Sequence, residues 1–205
     1  GLFHRRKSIE TGGSVGLSGR TIVQKISSDG TEAIRIADSQ KRSSSADFGS
    51  DGTIAHTIEG PSPQGEADTL DVCKVLVHRL NTQGGRWSEP VRPEGRESGI
   101  DCISTDGRQE MHIQVTRALS DQGIWRELRR KGKVEATTTI QSAADDLLQR
   151  AIEKSRGVPR GQLAHTVLII NAIDTAHYVF PAVNAEFRKR HGYAVSQLGF
   201  EEVWI

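Results

Sequence analysis

Gly99-Ile100-Asp101-Cys102-Ile103-Ser104-Thr105-Asp106-Gly107-Arg108-Gln109-Glu110-Met111-His112-Ile113-Gln114-Val115-Thr116-Arg117 is the stretch on which the fold of this chain turns. Asp-Gly between two alternating runs is a strong short-range hairpin signal, because the favoured two-residue turn needs positive φ at both central positions. A two-residue turn at Asp106-Gly107 sets Thr105 against Arg108, Ile103 against Glu110, Asp101 against His112 and Gly99 against Gln114. Side chains alternate between the two faces of a strand. One face of the predicted hairpin therefore carries Ile100, Cys102, Met111, Ile113 and Val115. The other carries Asp101, Glu110, His112, Gln114 and Thr116. The apolar face needs a cover. The polar face gathers oxygen and nitrogen donors around Asp101, with Gln114 one diagonal step away.

Working outward, Leu70, Cys73, Leu76, Val77 and Leu80 recur at helical spacing and supply that cover, and Asn81 to Gly85 ends the helix. A short strand is expected over Arg86 to Val91. Beyond the hairpin, a helix is expected to start with Ser120 as its cap, run through Trp125 and Leu128, and stop at Gly132. Ala144, Leu147, Leu148, Ala151 and Ile152 mark one face of a further helix ending near Gly157. His165 to Asn171 is almost continuously apolar, as a strand buried on both faces should be. A helix from about Pro181 to Arg190 and a strand from Phe200 to Ile205 complete the order. Hairpin strands followed by crossover helices predict an α/β fold, a mixed β-sheet flanked by helices.

Residues 1–63 have a different texture, rich in Gly and Ser and without helical period. Ser28-Asp29-Gly30 separates Thr21–Ile26 from Thr31–Ile36, a predicted hairpin, and Ser50-Asp51-Gly52 precedes a strand at Thr53–Ile58. Gln40 to Ser45 between them reads as a loop. The expectation is an N-terminal antiparallel β extension over residues 1–63 and an α/β domain over residues 64–205. The 27 basic and 26 acidic side chains of the 205 residues nearly cancel, which argues against wholesale polyanion binding but leaves room for a basic patch. No apolar run is long enough to cross a bilayer, and no membrane association is expected. Two cysteines make no disulfide scaffold, so the expected setting is reducing and cytoplasmic. Gly1 in place of Met, with the end at Trp204-Ile205, suggests an excised segment.

A carboxylate beside an amide oxygen suits a hard cation such as Mg²⁺ (or Mn²⁺), which can stabilise charge on a phosphate. The same pattern also describes an ordinary solvated sheet face. The order helix, strand, Gly-Ile-Asp strand, turn, Ile-Gln-Val-Thr-Arg strand, helix resembles the core of the PD-(D/E)XK nuclease superfamily, restriction-endonuclease-like in fold. Within it, the branch with Gln at the second acidic position is the most similar. The resemblance places Asp101 at the motif Asp, Gln114 at the (D/E/Q) position, Thr116 where that family has Lys, and Glu66 or Asp71 at the acidic residue of the first helix. It implies a metal held by Asp101 and Gln114, catalytic roles for Asp101, Gln114, Thr116 and Glu66, DNA phosphodiester hydrolysis, and a setting in restriction or phage defence.

Thr116 brings no charge, so either the cation has moved, with Arg126, Arg129, Arg130, Lys131 and Lys133 the basic run that follows in sequence, or the fold binds without catalysis. The same residues are the candidate DNA-phosphate contacts. In that setting the β extension is expected to serve recognition or dimerisation, in a homodimer or larger assembly; two alternatives stand beside the nuclease, a catalytically inactive nucleic-acid-binding or assembly module on the same fold and an unrelated small-ligand domain. No Walker or Rossmann glycine loop and no zinc-type Cys/His spacing is present in the sequence.

Overall fold

The computed structural model describes residues 20–26, 32–38, 42–61, 65–94, 99–119, 121–172, 175–179 and 181–205; of residues 20–26, 32–38, 65–68 and 179 the backbone alone is described. Nine strands and five α-helices form two compact units among these residues. The described residues of Gly1–Ser62, Leu119–Ala144 and Ala172–Glu186 make one unit, and those of Pro63–Ala118, Asp145–Asn171 and Phe187–Ile205 the other.

The first unit is built on an antiparallel sheet of β1 (Arg20–Ile26), β2 (Glu32–Asp38), β3 (Ser43–Phe48), β4 (Thr53–Glu59) and β7 (Lys133–Thr139), in the order β1-β2-β3-β4-β7. The expected pairing of the first two strands is present, with Ile26 opposite Glu32; the turn expected at Ser28-Asp29-Gly30 lies outside the described residues. Ser43 to Ser45, expected in a loop, are the start of β3. Ser44 is buried, and its hydroxyl oxygen accepts a hydrogen bond from the backbone N–H of Ala176 at 2.8 Å, which is how a polar residue sits inside a sheet. The N-terminal strands thus gain a fifth member, β7, in register from Thr53↔Thr139 to Glu59↔Lys133. Helix α2 (Gln122–Lys131) buries Trp125 and Leu128. Ser120 lies outside the described residues, and the cap is Asp121, whose carboxylate accepts from the N–H groups of Gly123 and Ile124. Gly132, at φ 71°, ends the helix in the left-handed conformation that glycine adopts without steric cost.

The second unit holds the sequence-decisive hairpin. Its sheet runs β5 (Cys102–Thr105), β6 (Glu110–Arg117), β8 (Thr166–Asn171), β9 (Glu202–Trp204). β5 and β6 are antiparallel, whereas β6, β8 and β9 are parallel, so the sheet is mixed and flanked by helices. Helix α1 (Gly65–Thr82) covers the apolar face: Val72, Cys73, Leu76 and Val77 pack with Cys102, Met111, Ile113, Val167 and Ile169 in one core cluster. β8 is buried along its whole length, as its composition requires. The segment expected as a strand at Arg86–Val91 runs along the outer edge of β5 through an isolated bridge, Val91 to Ile103, and through a hydrogen bond from the Ser88 N–H to the Thr105 carbonyl, without a continuous ladder. Helices α3 (Ile140–Gly157), α4 (Arg160–Leu163) and α5 (Pro181–Ser196) complete the chain, α5 running past the expected Arg190. Among the described residues no helix is long and apolar enough to cross a membrane.

Candidate functional site

The hairpin exists, but its register differs from the expected one by two residues. Ile103 faces His112 and Thr105 faces Glu110. The cause is the turn: the Asp106 carboxylate accepts from the N–H groups of both Arg108 and Gln109, which lengthens the loop beyond Asp-Gly. A two-residue shift preserves faces. It does move His112 away from Asp101; His112 instead hydrogen-bonds Glu110 at 2.8 Å.

At the start of β5 the ladder changes. The backbone N–H of Asp101 donates to the carbonyl of Ile113, the residue already opposite Cys102. Two residues of one strand then stand against one of the other, which is a β-bulge, and bulges re-aim side chains. The half-buried Asp101 accordingly turns its carboxylate onto β6, where Oδ2 accepts from the N–H of Val115 at 2.7 Å. Gln114 answers from the other strand, donating through Nε2 to the carbonyl of Gly99 at 2.9 Å. Each strand's side chain satisfies the other strand's backbone where regular pairing stops.

Gln114 is only 3% exposed, and its Oε1 is buried with no hydrogen-bond partner. The orientation of this amide follows from chemistry, since only its nitrogen can donate to the Gly99 carbonyl. A buried amide oxygen without a donor is costly, of order 1–3 kcal/mol. An amide oxygen and a carboxylate oxygen are each hard donors of the type that Mg²⁺ takes while keeping several waters. Among the described residues no group of three or more His, Cys, Asp or Glu converges on a metal position. The fit to a cation therefore rests on one carboxylate and one amide.

On the core side of the same strand end, the thiols of Cys73 and Cys102 are hydrogen-bonded to one another. That bond and burial push the Cys73 thiol pKa up, with the charge of Asp101 adding to the effect. Thr116 is half-buried opposite Ile170 of β8. The backbone of Glu66 lies in the first turn of α1, and its side chain lies outside the described residues; Asp71 is exposed on the same helix.

The basic run belongs to the first unit, not to the unit of Asp101 and Gln114. It is also two clusters rather than one: Arg126, Arg129, Arg130 and Lys131 on α2, and Lys133 at the start of β7. Lys131 is paired with Glu127 at 2.6 Å, and Lys133 with Glu135 and Glu59. Arg126, Arg129 and Arg130 are exposed and carry no ion pair among the described residues.

A second constellation has no spacing signal in the sequence. His56 of β4 and His177 of the 3₁₀ turn Ala176–Val179 stack with ring centroids 4.1 Å apart, and both are buried. Tyr178 continues the stack at 4.0 Å from His177. The Nδ1 atoms of both histidines are buried without partners. Burial lowers the His56 pKa, while burial and the neighbouring His56 hold that of His177 well below its ordinary value. Its only trace in the sequence is a histidine occupying a core position in the alternation Ile54, His56, Ile58.

No protein-family model matches this chain, and comparison with curated proteins and with solved structures yields no significant match. The reading of the site therefore stands on its geometry.

Proposed function

We propose that the unit carrying the β5-β6-β8-β9 sheet is a divalent-cation-dependent, nuclease-like phosphodiesterase domain of restriction-endonuclease-like type, with DNA as substrate. The observation that carries this reading is the buried and unpartnered Oε1 of Gln114, on the strand whose Val115 N–H holds the Asp101 carboxylate. That oxygen and the Asp101 carboxylate would hold the cation. A divalent cation there supplies positive charge against the negative charge that develops on a phosphodiester. Asp101 and Gln114 are held in place by Val115 and Gly99, so neither side chain must be ordered when a substrate arrives. The test is incubation with supercoiled plasmid, linear duplex, single-stranded DNA and RNA, each with Mg²⁺, Mn²⁺ or chelator. Metal-dependent cutting of DNA that Asp101→Ala and Gln114→Ala abolish is the expected result; cutting that survives both substitutions sinks the proposal.

A second reading has its own observations. Asp101 and Gln114 already serve the backbone, Thr116 supplies no cation, and α2 exposes three arginines with no ion pair among the described residues. These favour a non-catalytic nucleic-acid-binding module. Binding indifferent to metal, falling steeply with salt and weakened in Arg126→Gln and Arg129→Gln would select it over the nuclease.

A further inference from the structure

Within the second unit, the C-terminal end of α3, α4 and the segment before β9 enclose a cleft of about 690 Å³. Its size is in the range of small-molecule sites. Charged, polar and apolar groups line it, Ser155 and Gln197 being the polar ones. Arg156 and Arg160 are exposed and form no ion pair among the described residues. Val158 and Leu163 are buried, Leu198 is half-buried, and Gly199 packs against Leu163. Guanidinium is the side chain best matched to planar or tetrahedral oxyanions, because its donors form a fixed fork.

Two such forks match a doubly charged head better than a singly charged one, and the apolar floor calls for a hydrocarbon or ring body attached to it. We infer that this cleft binds a small phosphomonoester: a dianionic phosphate on a compact apolar or aromatic body, with Arg156 and Arg160 as anion anchors and Val158, Leu163 and Leu198 as the floor. None of these residues belongs to the Asp101–Gln114 pair, so the assignment does not depend on the nuclease reading. The Gly99 backbone does approach from outside: a Cβ on Gly99 would lie 3.0 Å from the carbonyl oxygen of Gly157, between Arg156 and Val158.

Phenylphosphonate, which cannot be hydrolysed at its P–C bond, is the probe. Its titration into the isotope-labelled full chain at pH 8 should shift amide resonances of residues 155–164 and 197–199. Affinity should fall at least about ten-fold in Arg156→Gln/Arg160→Gln, and measurably in Leu198→Asn. Arg160→Lys, which keeps the charge and loses the fork, should fall between. Inorganic phosphate without the body, and benzoate with a single charge, should each bind more weakly. Unchanged resonances elsewhere report that the variants are folded, as expected for substitutions of exposed arginines. Shifts that map elsewhere, no binding, or undiminished binding to the double arginine variant would overturn the assignment. Benzoate binding as tightly as phenylphosphonate would overturn its dianionic part.

Discussion

Asp101 and Gln114 each do two things, and single substitutions separate them. Replacing Asp101 with Ala removes the acceptor for the Val115 N–H and should cost about 1–3 kcal/mol in urea unfolding. Asp101→Asn retains an acceptor oxygen and should cost less than about 1 kcal/mol, while the lost charge weakens any Mg²⁺-induced thermal shift. If Asn and Ala lower stability equally, the side-chain-to-backbone bond is not what Asp101 contributes. Gly99 adds a second residue-scale test. At φ 64°, and with Gly157 so close, Gly99→Ala should destabilise by about 1–2 kcal/mol, again by urea unfolding. The approximate faces of this hairpin were legible in the alternation of its residues. Its register was not, because Asp106 accepts two N–H groups and favours a longer loop than Asp-Gly alone implies. Nor was the bulge, since a two-against-one pairing leaves no mark in a pattern of period two.

Among the elements, those with an internally complete pattern were readable: α1 by its spacing of Leu70 to Leu80, and β8 by its unbroken apolar run. β7 was not, because Lys-Val-Glu-Ala-Thr-Thr-Thr offers little apolar alternation and its partner β4 lies far upstream. The 3₁₀ turn Ala176–Val179 is likewise defined only by what it meets. It lies on β3 and β4 through the Ser44 bond and the His56–His177 stack. Arg42, just before β3, is buried; β4 presents Ile54 and Ile58 beside His56, and β7 has Val134, Ala136 and Thr138 in register with them. By register, Ile34 and Ile36 of β2 stand opposite Ala46 and Ser44 of β3. Because both histidine pKa values are lowered in the folded chain, the unfolded chain binds more protons below its ordinary value of 6.5. Stability of this unit should therefore be fully present above pH 6.5 and fall as the pH drops below it, by up to about 1.4 kcal/mol per pH unit for each histidine kept neutral. His177→Phe should flatten that slope in acid titrations followed by tyrosine and tryptophan fluorescence; an unchanged slope would place the acid sensitivity elsewhere. At the helix level, Asp121→Ala should cost about 1 kcal/mol by removing the acceptor for Gly123 and Ile124.

For the molecule as a whole, the path of the chain matters more than the content of its elements. The first unit is assembled from three separated stretches of sequence, and β4 finds its outer partner only at residues 133–139. A peptide of residues 1–63 carries β1 to β4 but neither β7 nor the turn that buries Ser44 and His56. It is expected to show no cooperative thermal transition by circular dichroism. A sharp transition from that peptide would mean the four strands suffice. This interleaving has a consequence for biosynthesis. As the protein leaves the ribosome, the edge of β4 is exposed well before the strand that covers it has been translated. During that interval the nascent strands present open N–H and C=O groups to any neighbouring polypeptide, and the cell must either shield them or synthesise the next seventy-odd residues quickly enough to close the edge.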